Sequence, residues 1–450
     1  MQLNLPEKLH TLAQKADFPL YVVGGAVRDA LANLPASPDL DLCAPASAEK
    51  FSSLAAQCGL EVNGVYKNTG TVNLTAGDKK IEFTSFRTDT YRRGEHAPCA
   101  VEFTGDITAD ARRRDFKCNA VYYDIKEQTL CDPLGGEADI RARILETTRP
   151  AEEVFSEDGL RLMRLARFAA QLGFSPTDAC RAGARANAEL IGKISAERIF
   201  AELLQILHAD EKYGRRYAHY DGLKMLDETD VLRYILPELA AGKGMAQRSD
   251  FHDHDVLEHS LRTCRYADHS IRLAAMLHDA GKPAAFAQTG KFYGHDVLGE
   301  EIARAILERL KAPKKTTELV CRLTRLHMYD LDGKTRESKI RAFIVNNYDV
   351  YEPLLLLKQA DFSGCKDDLS VCPTVIKWEG IRKRMQAEGA PFTLKELAVR
   401  GGDLRGIVAA QKIGDVLQKL LLFCAQDGRR NQRDALLQEA ARLAEEEQNG

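Results

Sequence analysis

The feature that most constrains this 450-residue chain is a change of pattern near residue 146. Before it, "YVVGG", "LDLCA", "TVNLTA", "KIEFTSF", "VEFTG" and "AVYYDI" are short β-rich runs bounded by Gly, Asp or Pro, which predicts strands. Between them, "GAVRDALANL" and "SAEKFSSLAAQCG" carry helical spacing. After about residue 150 the strand signals stop. "SEDGLRLMRLARFAAQLGF" repeats apolar residues at three and four and ends near Gly173, a good helix stop, and the helical pattern persists through "ALLQEAARLAEEEQ". The expectation is an α+β head with a mixed sheet and helices, followed by a long all-α body.

Composition narrows the class. With 44% hydrophobic and 29% charged residues, the chain is globular in type. No apolar run reaches the length of a membrane span, and "MQLNLPEKLH" lacks the basic start and apolar centre of a signal peptide, so a cytoplasmic location is expected. Eleven cysteines without any CxxC pair read as reduced thiols, against zinc ribbons and disulfide scaffolds. A net charge of −3 leaves nucleic-acid binding to local excesses of positive charge. Residues 161–198 carry seven Arg/Lys against three Asp/Glu, and residues 377–434 carry twelve against seven; solvated helix faces explain either alone.

The chemistry-bearing residues start at "YVVGGAVRDA" (21–30), followed by "DLDL" (39–42). Gly24 and Gly25 end a strand and open a helix, a turn whose free N–H groups suit phosphate. Arg28 lies one turn into that helix, within reach of a triphosphate. Asp39 and Asp41, two apart in a strand-like run, share one face. Crowding two carboxylates is costly, and Mg²⁺ relieves it by taking carboxylates, waters and phosphate oxygens; an acidic loop is the plain alternative. Glu82 in "KIEFTSF" is either a third carboxylate from a neighbouring strand or a solvent-facing residue.

GGxVRD followed at this distance by DxD resembles the class II tRNA nucleotidyltransferases and bacterial poly(A) polymerases of the polymerase-β superfamily. The resemblance implies that Gly24, Gly25 and Arg28 grip the triphosphate. Asp39 and Asp41 would then hold two Mg²⁺ that stabilise the attacking 3′-hydroxyl and the leaving pyrophosphate during in-line displacement. Further motifs follow in family order. "RRDFKCNA" (113–120) is similar to RRDFTxNA, implying Arg114 on the nucleotide with Asn119 nearby; Lys117 and Cys118 depart from the usual Thr and aliphatic residue. "DPLGGEADI" (132–140) resembles a flexible loop between head and neck, and "SEDGLRLMRLARF" (156–168) resembles the base-selecting helix.

Asp158 and Arg161, three apart on a predicted helix, are expected to point the same way. Cytosine and adenine each present an amino donor beside a ring-nitrogen acceptor. A carboxylate with a guanidinium matches that order, whereas uracil and guanine present its reverse and would leave buried polar groups unpaired. A surface ion pair is the competing account of the same spacing. Arg164 would suit a phosphate contact and Arg167 a structural one. In "ISAERI" (194–199), Ser195 is an expected N-cap, with Arg198 supporting the neck.

Between residues 252 and 362 lie most of the histidines. His259, His278, Asp279 and Asp361 match the H…HD…D set of the HD phosphohydrolase superfamily, which this region resembles, and His295 and His327 match the extra ligands of binuclear members. The ligand chemistry suits Ni, Mn, Co, Fe or Zn and selects poorly among them. His252, His254 and His269 receive no role.

The segments "PFTLKELAVRGGDL", "QKIGDVLQKLL" and "QDGRRNQRDALL" resemble the C-terminal region of longer family members, where Arg429, Arg430 and Arg433 would suit an RNA backbone. Helix packing or a dimer interface explains them equally well.

The whole reading is a polymerase-β-like head (1–146), a helical neck (147–240), an HD body (241–365) and a helical tail (366–450). The implied activity is template-independent CCA addition to tRNA 3′ ends from CTP and ATP, by a monomer or homodimer, with a possible HD phosphatase or 2′,3′-cyclic phosphodiesterase. Poly(A) polymerase, A-only addition, or an HD phosphohydrolase with a nucleotide-sensing head are the alternatives. The acidic ending "ARLAEEEQNG" leans towards CCA addition.

Overall fold

The structure is a computed structural model that describes residues 3–248, 250 and 253–448. His252 therefore lies outside the described residues. The chain packs as two compact units, one of residues up to 240 with 309–312, the other of 241–308 with the chain from 313 onward.

In the first unit, helix α1 (Glu7–Lys15) leads into β1 (Tyr21–Val23), α2 (Gly25–Leu31), β2 (Leu40–Ala44) and α3 (Ala48–Gln57). Strands β3 (Glu61–Tyr66), β4 (Thr71–Ala76), β5 (Lys79–Ser85), β6 (Arg87–Thr90) and β7 (Ala100–Phe103) follow, then α4 (Ile107–Arg112), β8 (Tyr122–Asp124) and β9 (Leu130–Cys131). The main sheet has the order β3-β4-β5-β2-β1-β8-β9, with β2–β5 parallel and its other pairs antiparallel, while β6 and β7 form a separate ribbon. This is the mixed sheet expected of the head. Strand β2 alternates by burial: Leu40 and Leu42 enter the core, and Asp41 is turned to the opposite face. Helix α3 is capped by Ser47, whose hydroxyl accepts from Lys50 N at 3.2 Å, and it clamps the sheet through a Phe51–Phe83 stack with ring centroids 3.7 Å apart.

The head ends in α5 (Gly136–Ala142) and a two-residue parallel pair, β10 (Ile144–Leu145) with β11 (Ser175–Pro176). Two expectations are corrected here. Strand structure recurs briefly after residue 150, and part of the run expected as a flexible loop at 132–140 is helix, because both Asp132 carboxylate oxygens accept from the Gly136 and Glu137 N–H groups at 2.9 Å. Helices α6 (Ala151–Glu157), α7 (Leu160–Leu172), α8 (Asp178–Ala186), α9 (Ala196–Leu207), α10 (Ala209–Tyr213), α11 (Ala218–Glu228), α12 (Leu232–Ile235) and α13 (Pro237–Ala240) complete the unit. Gly173 ends α7 as the sequence predicts, and Ser195 occupies the N-cap position of α9 without its side chain capping a backbone N–H.

The second unit is helical: α14 (Val256–Tyr266), α15 (Arg272–Leu277), α16 (Lys282–Thr289), α17 (His295–Arg309, whose last residue belongs to the first unit), α18 (Lys314–Leu326), α19 (Glu337–Asn346), α20 (Tyr351–Lys366), α21 (Pro373–Ala387), α22 (Ile413–Gln426) and α23 (Arg433–Gln448). Trp378 is fully buried, donates to Asp330 Oδ2 at 2.8 Å and is flanked by Tyr329, Phe343 and Tyr351. No helix among the described residues is long and apolar enough to cross a membrane. The eleven cysteines are all free thiols.

Candidate functional site

The turn between β1 and α2 carries the site in the first unit. Gly24 has φ +77°, and a Cβ there would lie 2.8 Å from Asp41 Oδ2, so only glycine lets this turn and that carboxylate coexist. Asp39 precedes β2, Asp41 lies within it, and Glu82 is the register partner of Asp41 on β5. The third carboxylate was therefore brought to the pair by the parallel crossover. Burial by surrounding protein raises the Asp41 pKa even though the residue remains open to solvent; Arg114 opposes the rise, Asp39 adds to it, and Arg164 and Arg28 oppose it. Glu82 is raised by burial and by Asp41, against Arg87. Asp41 and Glu82, each made harder to ionise by burial and by a neighbouring carboxylate, supply with Asp39 the hard oxygen donors that suit a divalent cation.

The arginines expected on nucleotide are held by the protein. Arg28 is 2% exposed; it donates to Asp29 Oδ1 and, at 2.7 Å, to Asn119 Oδ1, and Tyr213 hydroxyl from α10 joins the same network through Asp29 Oδ2. Asn119 in turn donates to Asp115 Oδ1 at 3.1 Å. Asp115 accepts two bonds from Arg164, at 2.8 and 2.5 Å, and these with the Asn119 and Phe116 donors outweigh its burial and hold its pKa down at about 2. Arg114 is pinned by Asp110 and Tyr122. Arg28, Arg164 and Arg167 all approach the ring of the buried Phe168, at 5.3, 5.2 and 4.4 Å from its centroid. Asp29, Asp115 and Tyr213 were missed in the sequence. The first two stand inside motifs already noticed, while Tyr213 had no signal there.

Asp158 and Arg161 do not share a helical face. Helix α6 stops at Glu157, and Asp158 is extended (φ −133°, ψ 106°) with Oδ1 accepting from Leu160 N at 2.9 Å. A short carboxylate offers the backbone an alternative to the helical ladder, and here it takes it. Next to it, a Cβ on Gly159 would lie 2.6 Å from the Leu190 carbonyl oxygen, so the break is packed against the short 3-10 segment Ala188–Lys193. Arg161 points back, to the Val154 and Arg113 carbonyls at 3.0 and 2.7 Å and to Glu157 at 3.0 Å. Asp158 Oδ2 instead faces His96 Nδ1 at 2.9 Å, a partner the sequence reading missed.

In the second unit the six expected ligands converge. His259 Nε2 and His278 Nε2 are 3.3 Å apart, and His295 Nε2 and His327 Nε2 are 3.2 Å apart. Asp279 lies between the pairs: Oδ2 is 3.3 and 3.2 Å from His259 and His278, and Oδ1 is 3.2 and 3.6 Å from His295 and His327. Asp361 Oδ1 sits 3.1 Å from His259. The Nδ1 atoms of His278, His295 and His327 are bound to the Ala275, Phe292 and Thr324 carbonyls, which fixes Nδ1 as the donor and turns each Nε2 lone pair inward. Converging lone pairs and buried carboxylates attract positive charge. Burial disfavours a charged His278, yet Asp279 and Asp361 raise its pKa to about 10. This donor set fits a divalent metal with nitrogen and oxygen ligands. Cys365, one turn beyond Asp361 on α20, has its Sγ near the ligand atoms of His259 and Asp361, and Lys282 Nζ stands 2.6 Å from Asp279. Neither was anticipated.

His254 and His269 stay outside the cluster, beside Asp367 and Asp268. In the tail, Arg429 and Arg433 pair with Asp427 and Asp403, and Arg430 lies 4.6 Å from the Phe423 ring centroid.

Three family models match: the poly A polymerase head domain over residues 20–146, the probable RNA and SrmB-binding site of polymerase A over 173–243, and the HD domain over 256–354. The chain is 30% identical over 423 residues to an A-adding tRNA nucleotidyltransferase of Deinococcus radiodurans, covering 89% of this chain and 90% of that protein. It is 33% identical over 319 residues to a multifunctional CCA protein of Neisseria gonorrhoeae, covering 68% and 73%. A crystal structure of the Bacillus stearothermophilus CCA-adding enzyme with CTP matches with a TM-score of 0.68 and 24% identity over 98% of both chains, a likeness of fold. On the near-full-length relationship to the Deinococcus protein, with head and HD models in the same order, this chain belongs to the tRNA nucleotidyltransferase and poly(A) polymerase family and is a nucleotidyltransferase.

Proposed function

We propose that the protein adds CCA to tRNA 3′ ends, taking CTP and ATP and releasing pyrophosphate, without a nucleic-acid template. The observation that carries this reading is Asp41 beside the Gly24 turn and in register with Glu82, with Asp39 one residue before the strand. Mg²⁺ held by Asp39 and Asp41 would neutralise charge on the attacking and leaving oxygens. Gly24 and Gly25 receive the triphosphate along the open backbone of the turn, with Arg28, Arg114, Arg164 and Asn119 as its surrounding polar wall. Asp158 accepts from the amino group shared by cytosine and adenine, while Arg161, bonded to Glu157 and to the Val154 and Arg113 carbonyls, would have to turn from them to donate to the ring nitrogen. The work divides as head to residue 146, neck to 240, HD body to 365 and tail beyond, in a cytoplasmic monomer or homodimer.

The HD cluster, loaded with Ni, Mn, Co, Fe or Zn on His259, His278, Asp279, His295, His327 and Asp361, would supply an activated water for hydrolysis of phosphomonoesters or 2′,3′-cyclic phosphates at RNA ends. A second reading, A-only addition, is favoured by the name of the Deinococcus relative. Extension of a tRNA lacking its last three nucleotides separates the two. Two residues with CTP, then one with ATP and a stop, is the expected result; extension by ATP only on tRNA already ending in CC would establish A-only addition, and an ATP ladder would establish poly(A) synthesis.

A further inference from the structure

The loop between β6 and β7 reaches the residue proposed to read the base. His96 on that loop places Nδ1 2.9 Å from Asp158 Oδ2, while Oδ1 of the same carboxylate accepts from Leu160 N at 2.9 Å. Asp158 is buried, its side chain 7% exposed, and His96 is the more open partner at 34%. The loop is fixed to the α6–α7 break by two backbone bonds, Gly94 N to the Ser156 carbonyl at 2.7 Å and Gly159 N to the Gly94 carbonyl at 3.2 Å. Tyr91, at the start of the loop, lies 5.4 Å below the Arg161 guanidinium. One loop thus touches both residues of the proposed base reader.

We infer that His96 is a positioning residue for nucleotide selection: its Nδ1–H holds the Asp158 carboxylate in the plane from which it meets a base. The inference rests on the base-reading role proposed for Asp158. An ionised carboxylate only accepts, so the shared proton belongs to His96 Nδ1. The two oxygens together offer about four acceptor sites, of which His96 and Leu160 use two. The rest remain for an exocyclic amino group. With His96 and the Leu160 N–H on separate oxygens, rotation of the carboxylate breaks one bond or the other, and a carboxylate free to rotate would tolerate a carbonyl-bearing base by turning away. His96 makes the acceptor stationary, so a base that offers a carbonyl meets an acceptor.

The test is the ratio of kcat/KM for CTP to that for UTP on tRNA lacking its CCA end, in the full-length wild type and in H96A, H96N, H96Q and D158A. H96A should lower the ratio by about tenfold, by raising UTP use more than it slows CTP use. H96N, whose amide nitrogen donates from near the Nδ1 position, should restore most of it, and H96Q should not. D158A should collapse the ratio further. If D158A leaves nucleotide choice unchanged, the base-reading role itself falls. If D158A changes choice while H96A slows CTP and UTP in equal proportion, or H96Q restores the ratio as well as H96N, the inference about His96 is overturned and its contact with Asp158 is structural. Should H96A fail to fold, the comparison of H96N with H96Q decides alone.

Discussion

Asp41 and Glu82 face one another across the parallel β2–β5 pair, in register, although forty residues of chain separate them. Burial makes both harder to ionise, Asp39 adds to this at Asp41 and Asp41 adds to it at Glu82, which is the electrostatic condition a divalent cation relieves. Asp41→Asn should abolish nucleotide addition, and Glu82→Gln should reduce it by about 10- to 100-fold, as loss of a supporting metal contact does. Single-turnover extension with varied Mg²⁺ checks this. Full activity of Glu82→Gln at low Mg²⁺ would remove Glu82 from the site.

Gly24→Ala tests the turn. The substitution forces a side chain into a positive-φ conformation (φ +77°, ψ −138°) that L residues rarely adopt, at about 1–3 kcal/mol, and sets a methyl 2.8 Å from Asp41 Oδ2. We expect a folded protein with strongly reduced nucleotide addition. Thermal melting and extension assays measured together distinguish this from simple unfolding, and unimpaired extension would show that the turn has room to spare.

The Asp115–Arg164 pair gives a pH dependence. Asp115 is held at about pKa 2, below its ordinary value, so the folded state binds its proton more weakly than the unfolded chain does. Its contribution is fully present above the unfolded pKa and is lost as pH falls towards 2. Asp115→Asn should therefore cost about 2 kcal/mol near neutrality, with roughly half of the difference gone by pH 3. Urea denaturation of both proteins between pH 7 and pH 3 checks it; a difference that does not narrow would place the stabilisation in packing.

The HD cluster predicts metal-dependent stability. Saturation at a hundred times Kd adds about 2.7 kcal/mol to the folded state, a rise of several degrees in melting temperature with Mn²⁺ or Co²⁺. Asp279→Asn should erase the rise and leave tRNA extension intact. A shift that survives in Asp279→Asn would locate the binding elsewhere.

Legibility in the sequence followed the physics of each region. Strands β4 and β5 were plain because apolar and polar residues alternate on a half-buried surface; β3, "EVNGVY", was passed over because it lies at the sheet edge with no fully buried residue. The HD ligands were readable as residue types in order, but their tautomers were set by carbonyls three residues earlier, which no motif encodes. Asp158 and Arg161 were noticed for their spacing but wrongly oriented, since helical spacing says nothing about an aspartate that caps its own break. His96, which meets Asp158 from 62 residues away, left no local trace.

Strand β1 is only three residues long and lies inside the sheet between β2, some twenty residues downstream, and β8, a hundred residues downstream. The glycine turn that β1 carries is therefore bordered by an open strand edge until Tyr122–Asp124 arrive. During synthesis, β2 and β5, which set Asp41 beside Glu82, are both available to pair well before that edge is closed. A nascent head thus holds its glycine turn and its acidic pair before the outer neighbour of β1 exists, so a chain interrupted before residue 122 would present an unpaired edge to its neighbours and be a substrate for chaperones or proteases before it was ever an enzyme.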